Sequence, residues 1–195
     1  EASYNWQETF FNAGPQFSTG RVLRGDNAFL IRTLGAQAAG INTVTVGTTQ
    51  SDLPFRALNN QRDVQRYVGG VEGEFEIGGK AAIWDAYVQY GETNSREQLR
   101  DIIINANYNN AIDAVFAPAG NAIGVPAGTI VCRSTLTDPT NGCVPLNILG
   151  TGVTNPAAID YVLGDPYRDQ KLKQTVVGAN LSFTPFALWA GDVSL

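Results

Sequence analysis

From Arg66 onward, apolar and polar side chains take strict turns. Tyr67, Gly69, Val71, Gly73, Phe75 and Ile77 fall on one face, and Gly70, Glu72, Glu74 and Glu76 fall on the other. This is the period of two that a β-strand imposes. Gly78-Gly79-Lys80 has the composition of a tight turn, and a return strand follows with Trp84, Ala86, Val88 and Tyr90 opposed to Asp85, Tyr87 and Gln89. The two segments predict a β-hairpin. A third strand is predicted from about Lys171, with Thr175, Val177, Ala179, Leu181 and Phe183 facing one way and Gln174, Val176, Gly178, Asn180 and Ser182 the other. Pro185 to Gly191 reads as a turn, and Asp192 to Leu195 begins a further alternating segment. Ala2 to Phe11, with aromatics at Tyr4, Trp6, Phe10 and Phe11, reads as a strand of looser order.

Between these segments the period is lost. Residues 12–61 and 93–168 are predicted as long loops, which are rare inside a compact domain. The second carries two helical signals. Asn105 to Val115 has Tyr108, Ile112 and Val115 at helical spacing and ends before Pro118. Asn155 to Gly164 offers an Asn N-cap, Pro156 at the first helical position and Gly164 as the stop. Alternating faces fit a soluble sandwich, with the apolar face on a core, and equally a membrane barrel, with the apolar face on lipid. The strict alternation of long loops with the short turns at 78–80 and 185–191 favours an antiparallel transmembrane β-barrel segment with long outer loops carrying short helices. Aromatics at Phe75, Trp84, Phe183, Phe186 and Trp189 cluster toward the short-turn end, as an interfacial girdle would. On that arrangement Phe75, Trp84, Val88, Tyr90, Val177, Leu181, Phe183 and Trp189 face lipid or its girdle. Glu72, Glu74, Glu76, Asp85, Gln89 and Asn180 face the lumen, their charge balanced by basic neighbours on adjacent strands.

Composition narrows the function. The 195 residues include no His and no Met, so Ser-His-Asp and Cys-His catalysis and His-ligated zinc are excluded, and no cofactor is expected. Thirteen basic residues against 18 acidic ones, a net charge of -5, leave no concentrated basic surface for nucleic acid. Charged residues make up 16% of the chain, well below the ~25% of ordinary soluble domains. No apolar run reaches the length of a transmembrane helix, whereas membrane strands need only about 9 to 11 alternating residues. The chain opens at Glu1 without a start Met or an apolar leader and stops at Leu195 in mid-alternation, so it is expected to be processed, trimmed or cut from a longer polypeptide.

Few residues carry candidate chemistry. Cys132 and Cys143 flank a turn-forming Asp138-Pro139-Thr140-Asn141-Gly142 segment, and a disulfide in an oxidising compartment is the reading, against a free pair or half of a metal site. Glu72 with Asp85 would serve a glycosidase only if the two carboxyls met across a cleft about 5 to 9.5 Å wide. The Gly78-Gly79-Lys80-Ala81 run lacks phosphate-loop spacing. Arg24-Gly25-Asp26 is a three-residue match of little weight, and the Asn180-Leu181-Ser182 sequon falls inside a predicted strand.

The order of the longer motifs is more specific. Cys132-Arg133-Ser134-Thr135-Leu136-Thr137-Asp138-Pro139-Thr140-Asn141-Gly142-Cys143-Val144-Pro145-Leu146-Asn147-Ile148-Leu149-Gly150, then the Asn155–Gly164 helix, resembles an outer loop of TonB-dependent receptors of Gram-negative proteobacteria. Val176-Val177-Gly178-Ala179-Asn180-Leu181 through Phe186, Ala190 and Gly191 resembles the strand and periplasmic turn that follow it. Asp26-Asn27-Ala28-Phe29-Leu30 is similar to that family's Asp-Asn-Pro-Phe-Leu motif, with Ala28 in place of the usual Pro. The resemblance spans about Asp26 to Leu195. It implies a barrel of about 22 strands around a plug, located in the outer membrane and driven by the TonB complex through a missing N-terminal part. This chain would be a segment of about five strands that needs the rest of the barrel and plug, contacts the lipid bilayer and takes up a small nutrient such as an iron chelate or a saccharide, without catalysis. The competing expectation is a soluble, secreted β-rich binding or adhesion domain, in which Val177, Ala179, Leu181 and Phe183 are buried by protein.

Overall fold

The computed structural model describes residues 1–189 and 191–193. The chain is mostly antiparallel β and divides into two compact units. A sheet unit comprises Glu1–Thr9, Asn60–Glu97 and Arg168–Leu195, and a loop unit comprises Phe10–Asn59 and Gln98–Tyr167.

Four long strands form an open sheet in the order β1 (Ala2–Asn12), β4 (Ala57–Ile77), β5 (Lys80–Arg100) and β10 (Tyr167–Phe183). The loop unit contributes β2 (Gln16–Arg24), α1 (Ala28–Leu34), β3 (Thr43–Gln50), β6 (Ile102–Ile103), α2 (Asn105–Ile112), β7 (Ala114–Phe116), β8 (Ile130–Cys132), α3 (Pro156–Val162) and β9 (Leu163–Gly164). No closed barrel forms among the described residues. The turn between β4 and β5 holds Gly78 and Gly79 at φ 59° and 77°. Left-handed backbone at both central positions is what a two-residue hairpin of matching twist requires, and only glycine adopts it freely. Lys80 already belongs to β5, and its Nζ donates to the Pro185 carbonyl at 3.0 Å.

All three long strands of the hairpin region exceed the expected lengths. β4 starts at Ala57 rather than Arg66, β5 runs on to Arg100, and β10 starts at Tyr167 rather than Lys171. The added stretches, such as Asn59-Asn60-Gln61-Arg62-Asp63, are polar on both faces, so a period of two leaves no mark in hydropathy. The expected turn at 185–191 instead holds a small ribbon of β11 (Phe186–Leu188) against β12 (Gly191–Val193), with Phe186 opposite Val193. Ala190 and the expected strand positions Ser194 and Leu195 lie outside the described residues.

The loop unit corrects a second expectation, because residues 12–61 are not structureless. β2 pairs antiparallel with β3, Gln16 opposite Gln50 and Arg24 opposite Thr43, across an irregularity between Ser18 and Arg21 that breaks the alternation. α1 is capped by Asn27, whose side-chain oxygen accepts from the Phe29 and Leu30 amides. Ala28 occupies the first helical position, where proline also fits. α2 stops at Ile112, so Val115 lies in β7 instead, which pairs with β8. α3 has its cap at Asn155 and Pro156 at the start, but Gly164 is a residue of β9 paired with Ile102 rather than a left-handed stop. Tyr108, Ala111, Ile112, Leu146, Ile148, Ala158 and Val162 join Leu23 and Leu53 in one core.

Candidate functional site

Cross-strand contacts in the sheet unit sort its residues into the two faces that alternation implies. Trp84 lies against Gly73, where an added methyl would stand 2.8 Å from the indole nitrogen. On the opposite face the Tyr87 ring covers Gly178, leaving 2.6 Å for a methyl, and Asn180 donates to both Asp85 carboxylate oxygens at 3.2 and 2.9 Å. Two aromatic rings thus sit where glycine on the neighbouring strand makes room, and they pin the register.

The face that carries Trp84 is apolar and uncovered within the chain. Val71 is 62% exposed, Val177 76% and Leu181 50%. Phe75, Ile77 and Val88 on that face are exposed as well, while Trp84, Tyr90 and Phe183 are half-buried. Phe186 in the ribbon and Trp189 next to it are exposed. The other face carries the acidic and amide side chains together with the exposed Ile83 and Tyr87. Glu72, Glu74 and Glu76 are exposed and make no ion pair among the described residues. Gln89 accepts from Arg66 at 2.9 Å, and Arg66 also reaches the Glu1 carboxylate at 3.3 Å.

Beyond Tyr67 and Tyr90, the apolar face changes to a connected charge network. Glu92 accepts from Lys171 at 2.6 Å, lies 3.7 Å from Lys173, and accepts from the Tyr90 hydroxyl at 2.9 Å. Asn94 joins Glu92 to Asp63 at 3.2 and 2.9 Å, and Arg96 lies 3.8 Å from Asp169. The Lys171 ammonium, then the Tyr90 hydroxyl, hold the Glu92 carboxyl down to about 2 from an ordinary 4.5. The same partnership raises Lys171.

The loop unit is held by polar clamps as well as by its core. Cys132 and Cys143 form a disulfide with a Cα–Cα distance of 6.1 Å. Arg133 grips Asp113 through Nε at 3.2 and 3.0 Å and Asp26 through Nη2 at 2.6 Å. Its hydrogen bond lowers the Asp26 carboxyl, so the aspartate of Arg24-Gly25-Asp26 is already engaged. Tyr108 is fully buried, with its hydroxyl bonded to Ser18 and Gln50 and the Arg21 guanidinium 4.9 Å from its ring centre. Asp52 accepts from three successive amides, Gly152 at 2.6 Å, Val153 at 2.9 Å and Thr154 at 3.1 Å. These bonds, Gly152's foremost, lower its carboxyl below the ordinary 3.8. Neither Asp52 nor the Asp26–Arg133–Asp113 cluster stood out in the sequence, since lone aspartates and arginines in an aperiodic stretch carry no local signal.

Near these clamps a groove of about 450 Å³ opens between α1 and the segments around Ile130, Pro145 and Val153. Among the described residues no cluster of three or more acidic or Cys side chains is placed to hold a metal ion, and no helix is long and apolar enough to cross a membrane. Comparison of the chain with protein-family models, curated proteins and solved structures finds no match.

Proposed function

We propose that this chain is a barrel segment of a TonB-dependent receptor in the outer membrane of a Gram-negative bacterium, with its four-stranded sheet in the bilayer and its loop unit capturing a scarce nutrient. The observation that carries the reading is the band on one sheet face. Apolar and uncovered toward the Gly78-Gly79 turn, it gives way to tyrosines and then to charges on adjacent strands. From Tyr67 to Ile77 the strand covers about 33 Å at roughly 3.3 Å per residue, and a tilt of about 40° makes that about 25 Å of height. That matches the apolar band of a membrane β-barrel. Phe75, Trp84, Val88, Val177, Leu181 and Phe183 then meet lipid, with Tyr90 and Trp189 as girdle. Glu72, Glu74, Glu76, Asp85, Gln89 and Asn180 line the lumen.

A secreted domain would have to cover Val177 and Leu181 with its own protein, and their exposure favours the membrane instead. β1 and β10 stand at the sheet edges, and unpaired edges of this length call for further strands, those of the remaining barrel. Fractionation of cells making the full-length protein tests the reading. Recovery in the detergent-extracted outer membrane, with gel migration that changes on heating, is the expected result. A soluble monomer with heat-independent migration would refute it.

A further inference from the structure

We propose that the sheet unit carries a saccharide site, a slot on the face assigned above to the lumen that takes a short, neutral, polyhydroxylated ligand. The slot lies beyond Tyr67 and Tyr90 as seen from the Gly78-Gly79 turn, and its volume of about 280 Å³ leaves room for roughly one or two sugar rings. No apolar side chain lines it. Gln7, Thr9, Asn60, Ser95 and Gln170 supply amides and hydroxyls, Gln61 donates to Glu8 at 3.1 Å, and Arg62 and Glu97 are its two ions. An amide or a hydroxyl combines donor and acceptor, as a sugar hydroxyl does. Next to the slot on the same face, the exposed Leu172 and the half-buried Val64 offer apolar contact to the C–H surface of a sugar ring.

At this level the two faces of the sheet treat their polar groups differently. On the face that continues the apolar band, Asp63, Asn94, Glu92 and Lys171 form one chain of contacts, and Arg96 lies near Asp169. On the slot face, Gln7, Thr9, Asn60, Arg62, Ser95 and Gln170 make no side-chain hydrogen bond or ion pair with any described residue. Four of them form a row. Glu1 and Val68 exchange both backbone hydrogen bonds, so Gln7 comes opposite Arg62. The Gly-Gly turn sets Arg62 opposite Ser95, and the Asp85–Asn180 contact sets Ser95 beside Gln170. Strands about 4.8 Å apart therefore present a fixed series of idle donors and acceptors, and groups held in place by a sheet are preorganised for binding. Charge selects the ligand class. Glu97 is tied to Arg168 at 2.7 Å, which leaves Arg62 as the unpaired ion among the described residues lining the slot. One guanidinium does not neutralise a polyanionic chelate, whereas its fork of donors spans adjacent hydroxyls.

The inference rests on the receptor reading for the direction in which this face looks, and it names the class of nutrient, but its test does not need transport. Calorimetry and saturation-transfer NMR on the full-length protein, in lipid nanodiscs or in buffer should it prove soluble, would use maltose, sucrose, lactose, cellobiose and maltotriose, with ferric citrate as the anionic comparison. Saturable binding of at least one sugar is expected, weakened at least tenfold by Arg62→Ala, several-fold by Gln170→Ala, and unchanged by Lys173→Gln on the opposite face. An unshifted melting temperature in each variant keeps a folding defect from being read as lost binding. No saturation by any of the sugars, sugar binding indifferent to Arg62→Ala and Gln170→Ala, or tighter binding of ferric citrate that depends on Arg62 would overturn the proposal. Recovery in the outer membrane is a separate readout. A soluble protein whose sugar binding still depends on Arg62 would refute the receptor reading and leave the slot standing, and a heat-modifiable barrel that binds none of the sugars would refute the slot alone.

Discussion

In the loop unit, Tyr108, Leu146 and Val162 are sealed from solvent, whereas in the sheet unit Val71, Val177 and Leu181 are half-exposed or more. Of the buried apolar residues among those described, only Ala82 belongs to the sheet unit. Both units have apolar side chains in quantity, so composition does not separate them. The difference lies in what each is built to meet. The loop unit folds chain onto chain from several directions, so it assembles a core around Tyr108, Leu146 and Val162, although Phe17, Val22 and Phe55 stay exposed on its surface. The sheet unit is a single layer, and a single layer cannot cover its own face. Exposed apolar patches of this kind on a regular surface mark contact with something else, lipid on the reading given above.

The sharpest way to break the contrast is to empty the loop core. Tyr108→Ala removes a fully buried ring together with its bonds to Ser18 and Gln50, and a loss of about 3 to 5 kcal/mol is expected. Protease sensitivity of the loop unit in the full-length protein would report it, while heat-modifiable migration of the barrel stays. Next comes the sheet. Leu181→Arg is expected to cost about 2 to 4 kcal/mol if that face lies in the bilayer, against near zero for Ser182→Arg on the polar face. Equal effects of the two, measured by denaturant titration in liposomes, would end the lipid assignment. Cys132→Ser with Cys143→Ser opens a loop of sequence separation 11, and about 2 to 3 kcal/mol should be lost from the loop unit. A non-reduced sample compared with a reduced one gives the same quantity without mutation.

The smallest effect concerns Asp52. Because its carboxyl is lowered from 3.8 in the folded chain, the clamp on Gly152–Thr154 is fully present above that value and is lost as pH falls further. Asp52→Asn should cost about 1 to 2 kcal/mol near neutral pH and flatten the acid limb, and amide exchange at Val153 read against pH would reveal both. Glu92 has the same sign. Its stabilising contribution is complete above 4.5 and disappears as pH approaches about 2. Its place on the sheet lets the two units be titrated separately.

The legibility of the elements followed their chemistry. The hairpin of β4 and β5 was plain because one face is apolar and the turn is Gly-Gly, and the same alternation exposed β10. Its polar extensions were hidden, since Asn, Gln, Arg and Asp alternating with one another look aperiodic. β2 and β3 were missed for a related reason. Thr, Gly and Ser dilute the pattern, and the irregularity between Ser18 and Arg21 shifts the phase partway along. The α3 start was readable from Asn155 and Pro156, because capping depends on adjacent residues. Its end was not, because Gly164 was drawn into a pairing with Ile102 from 62 positions upstream.

Features with a strong local or period-two signal were therefore settled by the sequence itself: the β4–β5 hairpin with its two-residue turn, β10, the α3 cap and the two faces of those strands. These depend on φ/ψ preferences and on neighbours a few residues apart. Tertiary structure alone decided which distant groups met: Arg133 with Asp26 and Asp113, Asp52 with the amides of Gly152–Thr154, Tyr108 with Ser18 and Gln50, and Phe29 and Arg32 beside Phe116 and Pro145. Such partners are separated by scores of residues, and no local propensity encodes a contact whose existence depends on how the intervening chain is routed.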